Sequence, residues 1–228
     1  ADGTLEELPA KHVDTGMGFE RIVAVLQGKG SNYETDLFLP IMERIKDYTG
    51  AREENPEQLV AMRVIADHIR ALTFAISDGA IPSNEGRGYV LRRILRRAAR
   101  YARTLGMKEP FLHRLVPAVV EVMGDAYPEL RQQADHCRRV IFVEEEAFLR
   151  TLDKGLEIFA GLVKEAKAKK KTAISGEDAF RLFDTYGFPL DLTQLLAGEE
   201  GLTVEVETFN RLMEEQRERA RKSGKFTR

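Results

Sequence analysis

The sequence contains no tryptophan and a single cysteine, Cys137, in 228 residues. One thiol cannot close an internal disulfide, so a reducing, cytoplasmic setting is expected. Apolar runs are short, and none approaches the roughly 20 residues that would cross a bilayer. The opening stretch, ADGTLEELPAKH, lacks the apolar segment of a secretory signal. Histidine is sparse and scattered, at His12, His68, His113 and His136. Adjacent His136 and Cys137 do not have ligand spacing on a helix, and no metal site is expected. Net charge is nearly absent too, with 35 Lys and Arg against 37 Asp and Glu.

That balance would exclude a nucleic-acid partner only if the charges were evenly mixed. They are segregated. From Arg87 to Arg103, RGYVLRRILRRAARYAR carries seven Arg and no acid. Acid is held elsewhere in blocks, at Glu144 to Glu146 and at Glu199 and Glu200. The overall mean hides a basic stripe.

Apolar residues recur mostly at helical spacing. The pattern predicts helices from the Gly16/Gly18 turn to Gly28, over 36–48, and from Asn55-Pro56, a capping Asn with Pro at the first helical position, to Ser77. Further helices are predicted over 89–105, 110–123 and 129–170, the last very long. Ser175 with Asp178 resembles a capping box for a short helix to Phe183. The run DTYGFPLD reads as a turn, with Asp191 capping the next helix. Leu202, Val204 and Val206 alternate as a short extended piece, and 207–222 forms a final charged helix. The expected fold is mainly α, with little sequence for a sheet.

Four stretches carry candidate chemistry, each with a plainer alternative. In Asp14-Thr15-Gly16-Met17-Gly18-Phe19-Glu20-Arg21, two glycines at a helix start allow close approach of an anionic ligand. Arg21 would contact a phosphate or stack on a purine, and Asp14 would hold an ammonium group. The alternative is an ordinary glycine-rich turn with an exposed Glu-Arg pair. Arg92, Arg96, Arg100 and Arg103 share one helix face, with Arg93 and Arg97 beside them. A ridge of guanidinium forks suits phosphates, unless acids from other helices neutralise it. In the loop Pro82-Ser83-Asn84-Glu85-Gly86, Asn84 either caps the next helix or offers its amide to a base edge. In Asp184-Thr185-Tyr186-Gly187, Asp184 either satisfies turn N–H groups or awaits a donor.

Four longer stretches resemble alanyl-tRNA synthetases, of class II. They are VDTGMGFERIVAVLQG (13–28), SNYETDLF (31–38), RVIADHIRALTFAISDGAIPSNEGRGYVLRRILRRAARYARTLG (63–106) and FRLFDTYGFPLDLT (180–193). The first resembles motif 3 of that class. The resemblance implies that Arg21 and Gly18 contact ATP, and that Asp14 and Gly16 hold the alanine amino group. It implies that Asn84 and Asp184 read the G·U wobble pair in the acceptor stem of alanine tRNA. Arg87, Arg92, Arg93, Arg96, Arg97 and Arg100 would then grip flanking phosphates.

The implied fold is a helical tRNA-recognition domain of two lobes around a long central helix. A motif 3 strand-helix remnant of the antiparallel α+β catalytic domain precedes it. The implied divisions are 1–30 for that remnant, 31–127 for the first helical subdomain, and 128–228 for the second. Motifs 1 and 2 are not found before Asp14, nor is the family's editing domain with its zinc ligands. The chain is therefore expected to be an internal piece of a ligase that uses ATP and Mg²⁺. Alone it would be inactive, with 13–28 poorly ordered or packed against another chain. Two other classes remain open: a non-enzymatic helical interaction module using the acidic blocks, and an RNA binder without sequence preference.

Overall fold

The computed structural model describes Ala10 and residues 15–224. Among these lie nine α-helices and two short strands. Helix α1, Phe19–Leu26, ends just before Gly28, whose φ is 62°. The strand expected to precede it, and Asp14, lie outside the described residues. Helix α2, Leu39–Thr49, starts three residues later than its apolar pattern suggests. Residues 32–34 form a tight 3-10 turn instead, and the buried Thr35 hydroxyl donates to the Asn32 carbonyl at 2.6 Å. Helix α3, Pro56–Ser77, is capped as its sequence indicates. The Asn55 side-chain oxygen accepts from Glu57 N at 3.0 Å and Gln58 N at 3.2 Å, satisfying N–H groups that the helix leaves free.

Helix α4, Gly86–Thr104, begins earlier than the expected Tyr89, because extended Glu85 occupies the cap position. The helix expected over 110–123 splits into a 3-10 turn at 112–115 and α5, Val116–Met123. Helix α6, Pro128–Ala168, has 41 residues and is about 60 Å long at 1.5 Å per residue. Helix α7, Gly176–Tyr186, opens on the Ser175 cap and continues past Phe183. Asp184 thus stands in its last turn rather than in a loop. Helix α8, Leu190–Glu199, is preceded by Pro189 in the cap position, so Asp191 lies in its first turn. Strands β1, Ala173–Ile174, and β2, Thr203–Val204, pair in parallel before α9, Val206–Gly224.

Helix α3 forms the centre, with Met62, Ile65, Ile69, Leu72 and Ile76 fully buried. It packs against α2, α4, α5 and α6. Helix α6 joins the two ends of the molecule, reaching α3, α4 and α5 and also α7 and β1. One hydrophobic cluster runs continuously from Phe38 to Leu202. Phe188, after α7, is fully buried against Phe148 of α6, with ring centroids 6.0 Å apart.

Helix α6 contributes one buried carboxylate to the first end. Glu145 is 1% exposed and accepts the Leu112 N–H at 2.9 Å. Burial pushes its pKa up to about 7, against the pull of the Phe111 and Leu112 backbone N–H groups. The folded protein therefore holds a proton that the unfolded chain releases near pH 4.5, the group's ordinary value. Stability from this group falls as pH rises from about 4.5 to 7 and is flat above.

Two outcomes test this packing. A Cβ at Gly155 of α6 would stand 2.3 Å from the Phe188 ring, whereas Gly161 of the same helix faces open space. Gly161→Ala should stabilise by about 0.5–1 kcal/mol, while Gly155→Ala should destabilise by about 1–3 kcal/mol through overpacking. Urea denaturation at pH 7 measures both. Glu145→Gln keeps an acceptor for Leu112 and removes the titration. It should be more stable than the parent at pH 8, by up to about 3 kcal/mol. At pH 4.5 the two should agree within about 1 kcal/mol, read by the same denaturation series.

Candidate nucleic-acid interface

The loop before α4 is held by its own backbone. Ser83 N donates to the Gly88 carbonyl at 3.0 Å, and the Ser83 hydroxyl donates to the Glu85 carbonyl at 3.0 Å. Gly88 is required by close approach: a Cβ there would lie 2.4 Å from the Ile81 carbonyl oxygen. Asn84 is exposed at the tip. Helix α4 has no side-chain cap, so Asn84 is not spent on capping. Its amide oxygen instead accepts from Arg92 Nη1, one turn and more into α4.

The Arg face of α4 is not a free cationic ridge. Glu144 of α6, 9% exposed, takes Arg92 Nη2 at 2.9 Å, Arg96 Nε at 3.0 Å and Arg96 Nη2 at 2.8 Å. Arg100 pairs with Glu199 at 2.7 Å, Arg103 with Asp153 at 2.8 Å, and Arg93 with Asp191 at 3.4 Å. Arg92, Arg96 and Arg100, expected as phosphate contacts, thus have acidic partners inside the protein. The reason is steric as well as electrostatic: α4 packs against both α6 and α8, and a guanidinium entering such a seam must be paired. Burial pulls the Arg96 pKa down, and Glu144 opposes the shift. Arg87 and Arg97 have no ion pair among the described residues. The acidic block is equally committed. Glu144 and Glu145 are buried, so they form no outer surface for a protein partner.

The other half of the site is the end of α7. Gly187 adopts φ 70° as its left-handed cap, a region that costs little only for glycine. Its carbonyl accepts from Arg96 Nη1 at 2.5 Å, and a Cβ there would collide with the same nitrogen. The Tyr186 carbonyl accepts from the Thr151 hydroxyl of α6 at 2.8 Å. Tyr89 of α4 meets Phe183 of α7 edge to face, centroids 6.4 Å apart. Asp184 is exposed, and its carboxylate accepts from Gln216 Nε2 of α9 rather than from a turn N–H.

A continuous set of bonds therefore runs from Asn84 through Arg92, Glu144 and Arg96 to the Gly187 carbonyl. It ties together two segments about a hundred residues apart in the chain. Sequence reading missed Glu144 and Gln216. Glu144 was legible in principle, since it falls on the apolar stripe of Ile141, Phe148 and Leu152, where an acid needs a partner. Nothing in the sequence signals Gln216.

The motif 3 region lies against the middle of α3, at Asp67 and Arg70. Arg21 and Gly18 line a cavity of about 370 Å³ with Glu20, Asn32, Tyr33, Phe38 and Asp67. Gly16 is exposed, with open space around its α-carbon. Glu20 is bonded to Arg70; its own backbone N–H and Arg70 hold its carboxyl below the usual range. A hydrogen bond from His68 does the same for Asp67. A triphosphate here would face two carboxylates with Arg70 already spent. Without a cation between them and the phosphates, the described residues do not fit ATP. Met17, Phe19, Val25 and Leu26 of this segment are exposed. Cys137 is buried, its thiol pushed up to about 11 by burial, which leaves it unreactive. No group of three or more His, Cys, Asp and Glu stands at metal-binding distance among the described residues, nor is any helix there long and apolar enough to cross a membrane.

The described residues form a mainly helical body, the fold class that the sequence resemblance implied. The chain belongs to the class II (A) tRNA synthetases, the family whose sequence profile matches residues 1–228. Within that class its similarity is to alanine–tRNA ligases. It is 59% identical over 225 residues to that of Chlorobium phaeobacteroides, covering 97% of this chain and 25% of the relative. It is 57% identical over 229 residues to that of Chlorobaculum tepidum, covering 99% and 26%. It is 56% identical over 221 residues to that of Geobacillus kaustophilus, covering 96% and 25%. The chain spans about a quarter of the length of these relatives.

Proposed function

We propose that this chain is the part of an alanine–tRNA ligase that reads the acceptor stem of alanine tRNA, with Asn84 and Asp184 placed against the G·U wobble pair. The observation that carries the reading is the bonded chain from Asn84 to the end of α7, which holds two exposed acceptors on a common support. A wobble pair leaves the guanine 2-amino group without its usual partner in the minor groove, which in A-form RNA is wide and shallow. The Asn84 amide oxygen, already taking one N–H from Arg92, keeps a second lone pair. The Asp184 carboxylate keeps a second oxygen beyond the one bonded to Gln216. With a Watson–Crick pair, these acceptors would be desolvated without a donor, at a cost of about 1–3 kcal/mol.

Phosphate contacts fall to Arg87 and Arg97, with Arg93, which is 42% exposed, able to leave Asp191. Arg92, Arg96 and Arg100 act through the surface they shape. In the whole enzyme, ATP and Mg²⁺ would activate alanine, and the family pattern places Arg21, Gly18, Asp14 and Gly16 at that step. We propose that this chain alone forms no adenylate.

Fluorescence anisotropy with two acceptor-stem hairpins, one G·U and one G·C, tests the reading. The chain should prefer G·U by roughly 5- to 150-fold, the equivalent of the 1–3 kcal/mol above. Asp184→Ala and Asn84→Ala should each reduce that ratio while leaving G·C binding nearly unchanged. Equal binding of both hairpins by the unaltered chain would mean a general RNA binder, and failure to bind either at low salt would refute an RNA partner.

A further inference from the structure

Beside the Asn84 loop, on the side facing α6, lies an open groove of about 480 Å³. Ile81 and Pro82 form one wall, and His136, Arg139 and Val143 of α6 form the other. Arg92 and Glu144 lie at its floor. Among the described residues that line the groove the one carboxylate is Glu144, and its oxygens already take three N–H groups from Arg92 and Arg96. Arg96 stands behind it, so the floor carries more positive than negative charge. Arg139 is exposed and has no ion pair among the described residues. Its neighbour Arg138, one position along the helix, is paired with Asp135 at 3.5 Å. His136 donates an N–H in any protonation state. The Arg92 Nε is buried without a hydrogen-bond partner at the same place.

We infer that this groove is a second RNA subsite, seating a backbone phosphate of the strand that passes Asn84, with Arg139 and His136 as its donors. The inference rests on the acceptor-stem reading for its ligand and adds a subsite to it. Three features favour RNA over an acidic peptide. One wall is the loop that carries Asn84, so a strand read at Asn84 has the groove within two residues of its path. The lining side chains are mostly cations and donors, and the Glu144 carboxylate is already bonded to guanidinium groups. The groove is open along the surface and walled by exposed Ile81 and Val143, which suits a ribose-phosphate edge lying across it. Such a contact positions the duplex without reading sequence.

The test is a salt titration of hairpin binding by the full 228-residue chain, with G·U and G·C hairpins as probes. Arg139→Ala should weaken both hairpins by the same factor and reduce the slope of log affinity against log salt by about 0.9. His136→Gln should weaken both equally and leave the slope unchanged. Arg138→Ala removes the same charge one position away and should change the slope by less than half as much. A parental slope in Arg139→Ala, or an equal change in Arg138→Ala, overturns the subsite. A loss of G·U preference in Arg139→Ala would also overturn it, because the groove would then be supporting the loop rather than binding phosphate. If the unaltered chain fails to prefer G·U but Arg139→Ala still lowers the slope, the base-reading proposal falls and the subsite stands. If it binds neither hairpin at low salt, both fall.

Discussion

The carboxylate of Glu144 is the constraint on which the candidate site depends. It is nearly sealed from solvent and shared between two guanidinium groups of one helix. A buried ion pair of this kind adds little net stability, since desolvation offsets the attraction. What it supplies here is placement. Arg92 gives its Nη1 to Asn84, and Arg96 gives its Nη1 to the Gly187 carbonyl. A fork with a fixed plane transmits the position of one partner to the next. Lysine at either position would hold Glu144 but could not continue the chain of bonds with the same geometry.

This arrangement changes what the arginine-rich helix is for. Each pair between α4 and the rest of the molecule is a contact with α6 or α8, so the helix acts as an internal fastener between the two ends of the protein. On the proposed reading, phosphate contacts are left to Arg87, Arg97 and the cations around the Asn84 loop. Glu145, one residue on from Glu144, illustrates the other fate of a buried acid. With only backbone N–H groups as partners, it keeps its proton to about neutrality.

Much of the fold was legible. Asn55-Pro56, Ser175 and the long apolar stripe of α6 each act through local chemistry, and the structure follows them. Where elements shift, tertiary contacts decide. The helix expected from 110 starts late because Pro117 has no N–H to continue an earlier helix and is accommodated in the first turn of α5. Strand β1 is two residues long and acquires its identity only by pairing with β2, so no local pattern announces it. The Arg face was visible as a face, but its partners were not. Glu144, Asp153, Asp191 and Glu199 are about 50 to 100 residues away, and pairing at that range is a property of packing. Asn84 and Asp184 came from the family resemblance, since an exposed Asn and an exposed Asp carry no distinguishing signal of their own.

The most direct measurement is native-state amide exchange on Glu144→Gln, under conditions where its far-UV circular dichroism matches the parent. If Glu144 holds both segments in register, the amides of Ser83, Gly187 and Phe188 should lose protection together while those of α3 keep theirs. Unchanged protection at all three, or loss confined to one of the two segments, would contradict the account.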